Sequence, residues 1–146
     1  MKIQFCAGGN NLDGFENRDQ DANINDPLPY LDESAEFILI EHGLEHTDTP
    51  HGFLFMRECH RILKPGGILR ICVPTLKSTM SREHVSDLIL GHGHQAVYNF
   101  QNLDMMLRAA GFNAVVITDR KDCDSHWKTI GRDKDDLETL RVDAEK

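Results

Sequence analysis

Residues 28–46, LPYLDESAEFILIEHGLEH, set a continuous apolar run directly against a cluster of ionisable side chains. Phe37, Ile38, Leu39 and Ile40 are consecutive rather than alternating apolar residues. A strand of that pattern has to be covered on both faces, as in a parallel sheet lying between helices. Glu41, His42, Glu45 and His46 follow at once. In open α/β sheets ligands sit beyond the carboxyl ends of the strands, so this end is where chemistry is expected.

The flanking sequence supports that reading in both directions. Downstream, Thr49-Pro50 places an N-cap before a proline at the first helical position, and Phe55, Cys59, Ile62 and Leu63 then fall on one helical face. Lys64-Pro65-Gly66-Gly67 stops this helix, and ILRICV at 68–73 is a strand rich in branched residues. Strand, helix and strand at this spacing form a βαβ unit with a right-handed crossover. Upstream, KIQFCA at 2–7 is a strand that runs into Gly8-Gly9-Asn10-Asn11, and residues 15–18 form a brief extended segment inside an acidic, aperiodic stretch. The loop at 7–14 is too short for a helix, although a parallel crossover needs a dozen or more residues. Either the second strand is a fragment, or the helix that would cover it is missing.

Towards the C-terminus, Ser81 can cap a helix carrying Val85, Leu88 and Ile89, and Asn99 one carrying Leu103, Met106, Leu107 and Ala110, closed by Gly111. AVVIT at 114–118 reads as a second fully covered strand, and TLRVDA at 139–144 alternates as a strand with one exposed side does. A polar loop around Trp127 separates them. About five strands and three helices are expected, in an α/β fold of one domain over 1–146.

Composition narrows the function classes. The 146 residues are 40% apolar and 27% charged, with a formal charge of −8, which suits a small-molecule substrate. It argues against a nucleic-acid backbone or an anionic membrane surface, both of which attract basic proteins. No apolar run reaches membrane-span length, and Met1-Lys2 leads straight into strand-like sequence, so a cytoplasmic protein is expected. Cys6, Cys59, Cys72 and Cys123 show no zinc or disulfide spacing. His42-x-x-Glu45-His46 has the spacing of the inverted zinc-hydrolase motif, but that motif needs a continuous helix and His42 ends a strand. No metal is therefore expected, and His92 and His94 in Gly-His-Gly-His read as a flexible loop.

Several phrases taken together resemble the class I S-adenosylmethionine-dependent methyltransferases over nearly the whole chain. FCAGGNN at 5–11 resembles the first motif of that family, GFENRD at 14–19 its second strand ending in an acid, and 28–46 its fourth-strand region. RECHRILKPGGILRICVP at 57–74 is the most specific match, and NFQNLDMMLRAAGF and the final LRVDAEK complete the order. The resemblance implies a Rossmann-like, mostly parallel sheet with helices on both faces, minimal or truncated at the first helix. It also implies S-adenosylmethionine as cofactor. Ala7, Gly8 and Gly9 would border its methionine end, Asp19 would accept hydrogen bonds from the ribose hydroxyls, and Asn23 and Ile24 would touch the adenine. His42 would lie near the reactive methyl, with His94 and Tyr98 bordering the acceptor. For a hydroxyl or amine acceptor His42 or His46 would take the proton, His46 being the expected base, and Glu45 or Glu41 would fix the imidazole tautomer. Cys6 stands where the first motif has its leading glycine. A degenerate, non-catalytic cofactor-binding or interaction module is the alternative reading, and a second copy of the chain could cover any apolar face left bare.

Overall fold

The computed structural model describes residues 1–19, 26–74, 86, 89, 91, 93–117 and 139–146. The organising stretch forms β3, Ala35–Glu41, at the centre of a six-stranded sheet. Its neighbours are β1, Lys2–Phe5, and β4, Leu63–Pro74, both parallel to it. Beyond β1 lies β2, Glu16–Arg18, also parallel. Beyond β4 lies β6, Thr139–Glu145, and then the edge strand β5, Ala114–Ile117. The sheet order is β2-β1-β3-β4-β6-β5, and β6 runs antiparallel to both its partners.

The run at 37–40 is covered on both faces because its side chains alternate. Ile38 and Ile40 join Ile3, Phe5, Leu69 and Ile71 in the main core. That core is closed by two helices, α1, Thr49–Ile62, and α2, Phe100–Ala110. Phe37 and Leu39 point the other way, onto Cys72, Leu12 and Phe15. Phe15 meets the Phe37 ring edge-on at 6.0 Å. The connection from β1 to β2 therefore covers this face itself, without a helix. Its shape is held by polar side chains: Leu12 N–H donates to Gln4 Oε1 (3.2 Å) and Asn17 Oδ1 (3.0 Å), and Asn17 Nδ2 donates to the Leu12 and Phe15 carbonyls. Both expectations for this segment are met, since β2 is a three-residue fragment and no helix precedes it.

Helix α1 starts one residue earlier than Thr49 suggests as a cap. Asp48 is the N-cap, its Oδ1 accepting from His51 N–H at 2.9 Å, and this bond and the His51 ring hold the carboxyl below its ordinary pKa. At the other end Arg61 reaches back to the segment that enters β3. Its guanidinium donates to the Leu28 and Tyr30 carbonyls, to Asp32 and to Glu58. The Arg61 hydrogen bond, ahead of a burial effect of opposite sign, lowers the Glu58 pKa. Helix α2 is capped as expected by Asn99, which exchanges bonds with Asn102 in a reciprocal box, and Gly111 ends it at φ 114°.

Two strand expectations are corrected. β5 is an edge strand with Val116 and Ile117 more than half exposed, not a strand covered on both faces. β6, whose alternation suggested one exposed side, is internal, with Leu140, Arg141, Val142 and Ala144 all buried. The pattern misled because β6 carries charged side chains inside the sheet. Asp143 stands directly across from Arg70 of β4, and the two form a paired contact at 2.7 Å on each of two nitrogens. The helix expected at 81–89, apart from positions 86 and 89, the Trp127 loop and His92 lie outside the described residues.

Candidate active site at the strand switch point

β1 leads outward to β2 on one side, and the chain then returns to β3 on the other side of β1, so the connectivity reverses between β1 and β3. The crevice beyond two such strand ends is where open α/β sheets bind ligands. Both strands end in the same backbone device. Cys6, just after β1, has φ 57°, and His42, just after β3, has φ 50°. This left-handed region is strained for residues other than glycine, at about 1 to 3 kcal/mol each, and such residues cluster at functional sites. Cys6 thus takes up the conformation that a leading glycine would adopt freely.

The two ends are fitted to each other through Gly43. A Cβ on Gly43 would lie 2.6 Å from Cys6 Cβ and against Cys6 Sγ as well. Turning the thiol relieves only the second clash. With φ −136° the backbone at Gly43 would itself accept a side chain, so space alone requires glycine here. Gly43→Ala should cost about 1 to 3 kcal/mol by overpacking. Urea unfolding of Gly43→Ala, Cys6→Gly and the double variant checks this. Strong coupling, with the double variant regaining most of the loss, is the expected result; simple additivity would show that the two do not interlock.

Beyond β1, Ala7 is buried and Gly8 and Gly9 are exposed with φ 54° and 82°. Gly8 N–H donates to Asp19 Oδ1 at 3.1 Å, so the glycine turn and the acid after β2 are brought together. Beyond β3, His42 N–H continues the ladder to the Cys72 carbonyl (2.9 Å), and the chain then makes a single 3₁₀ turn, Leu44–His46. Histidine and glutamate of the H-x-x-E-H spacing therefore do not share a continuous helix. Instead the turn carries Glu45 back under His42. Glu45 Oε1 lies 3.5 Å from His42 Nδ1, and the other imidazole nitrogen lies 3.5 Å from Thr139 Oγ1 of β6. Glu45 is only 2% exposed, whereas His42 is half-buried.

His46 is exposed, and its ring meets that of His94 edge-on at 4.9 Å. Tyr98 is buried below them against Gly52 of α1, where an added Cβ would lie 2.9 Å from its hydroxyl. Burial first, then the Glu45 and Asp48 carboxylates, push the Tyr98 phenol up to about 12, so it stays protonated at neutral pH. Among the described residues neither the Tyr98 hydroxyl nor Glu45 Oε2 has a hydrogen-bond partner. Asn23 and Ile24 lie outside the described residues. Thr139 and Gln95 were invisible as site residues in the sequence. Gln95 donates its N–H to the Glu45 carbonyl (2.8 Å) and its side chain to the His46 carbonyl (2.7 Å), contacts that no motif announces. A cleft of about 500 Å³ beside α1, lined by residues such as Leu54, Arg57 and His60, contains none of these groups.

The sheet order and the crossovers define a Rossmann-like α/β fold with a switch point between β1 and β3. A methyltransferase domain family matches residues 6–117, which is most of the chain. The chain belongs to the class I S-adenosylmethionine-dependent methyltransferases. No curated protein sequence matches it. Among solved structures it is similar to an S-adenosylmethionine-dependent methyltransferase of Archaeoglobus fulgidus, with 15% identity, a TM-score of 0.68, and coverage of 99% of this chain and 85% of that one. It is also similar to a Thermotoga maritima methyltransferase described as a possible histamine N-methyltransferase. There the identity is 17% and the TM-score 0.66, over 99% of this chain and 81% of that one.

The family's cofactor is S-adenosylmethionine, and the residues present suit it. Two exposed glycines at positive φ let a ligand approach the backbone closely, and the exposed Asp19 carboxylate, bonded to Gly8 N–H, is an acceptor of the kind a diol needs. No helix of the described residues is long and apolar enough to cross a membrane.

Proposed function

We propose that the chain transfers the methyl group of S-adenosylmethionine to a small-molecule acceptor seated by His42, His46, His94 and Tyr98, and that His42 takes the acceptor's proton. The observation that carries this reading is the meeting of two pairs at one switch point: Gly8 with Asp19 beyond β1, and His42 with Glu45 beyond β3. The cofactor, when bound, supplies an already activated methyl on a sulfonium. The protein's share is then orientation, exclusion of water and removal of one proton.

Gly8 and Gly9 offer N–H groups to the amino-acid end, and Asp19 exchanges its bond to Gly8 for the ribose hydroxyls. Glu45 accepts the Nδ1 proton of His42, which leaves Nε2 as the basic nitrogen. Tyr98, protonated, acts as a donor and not as a base. The net charge of −8 favours a neutral or cationic acceptor over an anionic one.

Binding of S-adenosylhomocysteine tests the cofactor half. Asp19→Ala should weaken it roughly 10- to 100-fold, the usual worth of hydrogen bonds to a charged group. Calorimetric titration with equal affinities for wild type and variant removes Asp19 from the site. No binding by the wild-type chain would favour the degenerate, non-catalytic module, for which the missing helix after β1 speaks.

A further inference from the structure

Glu45, His46 and His94 each offer one ligand atom, and the three atoms lie within 4.8 Å of one another. We propose that these residues form a site for a zinc-class divalent ion. This set is distinct from His42-x-x-Glu45-His46, because His94 comes from a remote segment and His42 is not a ligand. The sequence argument against a metal weighed the local H-x-x-E-H spacing and the His92-His94 loop one at a time, not a ligand set drawn from both.

Two observations support the site. Glu45 is 2% exposed, yet its Oε2 has no hydrogen-bond partner among the described residues. An unpaired buried carboxylate oxygen costs free energy that a cation would offset. Its other oxygen lies 3.5 Å from His42 Nδ1. The frame that holds His94 beside His46 is also already built. The backbone N–H groups of Gln95 and Ala96 both donate to the Glu45 carbonyl, at 2.8 and 3.2 Å, and the Gln95 amide donates to the His46 carbonyl at 2.7 Å. The residue next to His94 is thereby tied to the turn that carries the other two ligands.

Two imidazoles and one carboxylate form a donor set suited to zinc and related ions rather than to magnesium or calcium, which prefer oxygen donors. Donors about 2.0 to 2.2 Å from a tetrahedral ion stand roughly 3.4 Å apart. The ligand atoms therefore need to close by up to about 1.4 Å, a shift that rotation of the exposed His46 ring can contribute to. Three protein ligands leave a fourth position for water or for a heteroatom of the acceptor. That last role rests on the methyltransferase reading; the ion site itself does not.

The test is metal binding by the tag-free chain without cofactor, measured by zinc titration calorimetry and by the visible spectrum of the cobalt(II) form. One ion per chain with a four-coordinate cobalt spectrum is expected. His46→Ala, His94→Ala and Glu45→Gln should each weaken binding more than about 100-fold, whereas His42→Ala should leave it within a few-fold. S-adenosylhomocysteine affinity, measured in parallel, reports whether each variant has kept its fold and separates failure of this proposal from failure of the cofactor reading. No ion bound by the wild type overturns the site. Binding that survives His94→Ala overturns it too, and binding that instead depends on His42 would assign the ion to the local H-x-x-E-H set.

Discussion

His42→Ala is expected to lower methyl transfer by about 10²- to 10⁴-fold while the dissociation constant for S-adenosylhomocysteine stays within a few-fold. The split follows from where the residue stands. Asp19 and the glycine turn lie beyond β1 and β2, and His42 lies beyond β3, on the other side of the crevice. Loss of the imidazole should therefore leave cofactor affinity intact and remove only the group that takes the acceptor's proton. Glu45→Gln should produce a smaller loss of turnover, because the amide can still contact Nδ1 but no longer favours the tautomer that leaves Nε2 basic. An acceptor has first to be found, by following S-adenosylhomocysteine release across fractionated pools of small molecules. Turnover by His42→Ala at the wild-type rate would mean that this chain catalyses by positioning alone.

Asp143→Ala is expected to destabilise the fold by about 3 to 5 kcal/mol, the usual cost of breaking a buried ion pair by removing one partner. Arg70 is 1% exposed, donates two bonds of 2.7 Å to Asp143 across the β4–β6 pair, and lies 5.6 Å above the Phe37 ring. Removing the carboxylate takes away both of these charge-assisted bonds to a buried guanidinium. Replacing both, as Arg70→Met with Asp143→Leu, should restore most of the loss, because paired buried charges are worth little more than well-packed apolar residues of similar volume. Chemical denaturation of the single and double variants decides the point. A single variant within ~1 kcal/mol of wild type would place the pair among ordinary surface contacts.

Much of this fold can be read from local sequence. The run at 37–40, the Asn99 cap and Gly111 each obey a local rule and stand in the structure as expected, and the helix expected at Pro50 is there with its start one residue earlier. What failed depends on partners remote in sequence. Val116 and Ile117 form an apolar strand on an exposed edge, and β6 looks half-exposed because Arg70 neutralises Asp143 from a strand 73 positions away. The site follows the same division. Gly8, Asp19, His42 and Glu45 are recognisable at strand ends, and their pairing is a consequence of topology. Gln95 and Thr139 join the site through contacts spanning 49 and 97 positions, for which no periodicity or motif exists.

The fit of Cys6 against Gly43 also constrains the history of this chain. A Cβ at position 43 has no room beside the Cys6 side chain, whereas with glycine at position 6 its two nearest obstacles would be gone. The two positions therefore cannot drift independently. A side chain at 43 is disfavoured for as long as the Cys6 side chain stands against it. The dependence is one-sided: with Gly43 in place position 6 can return to glycine at any time, whereas a side chain at 43 has to wait for that return.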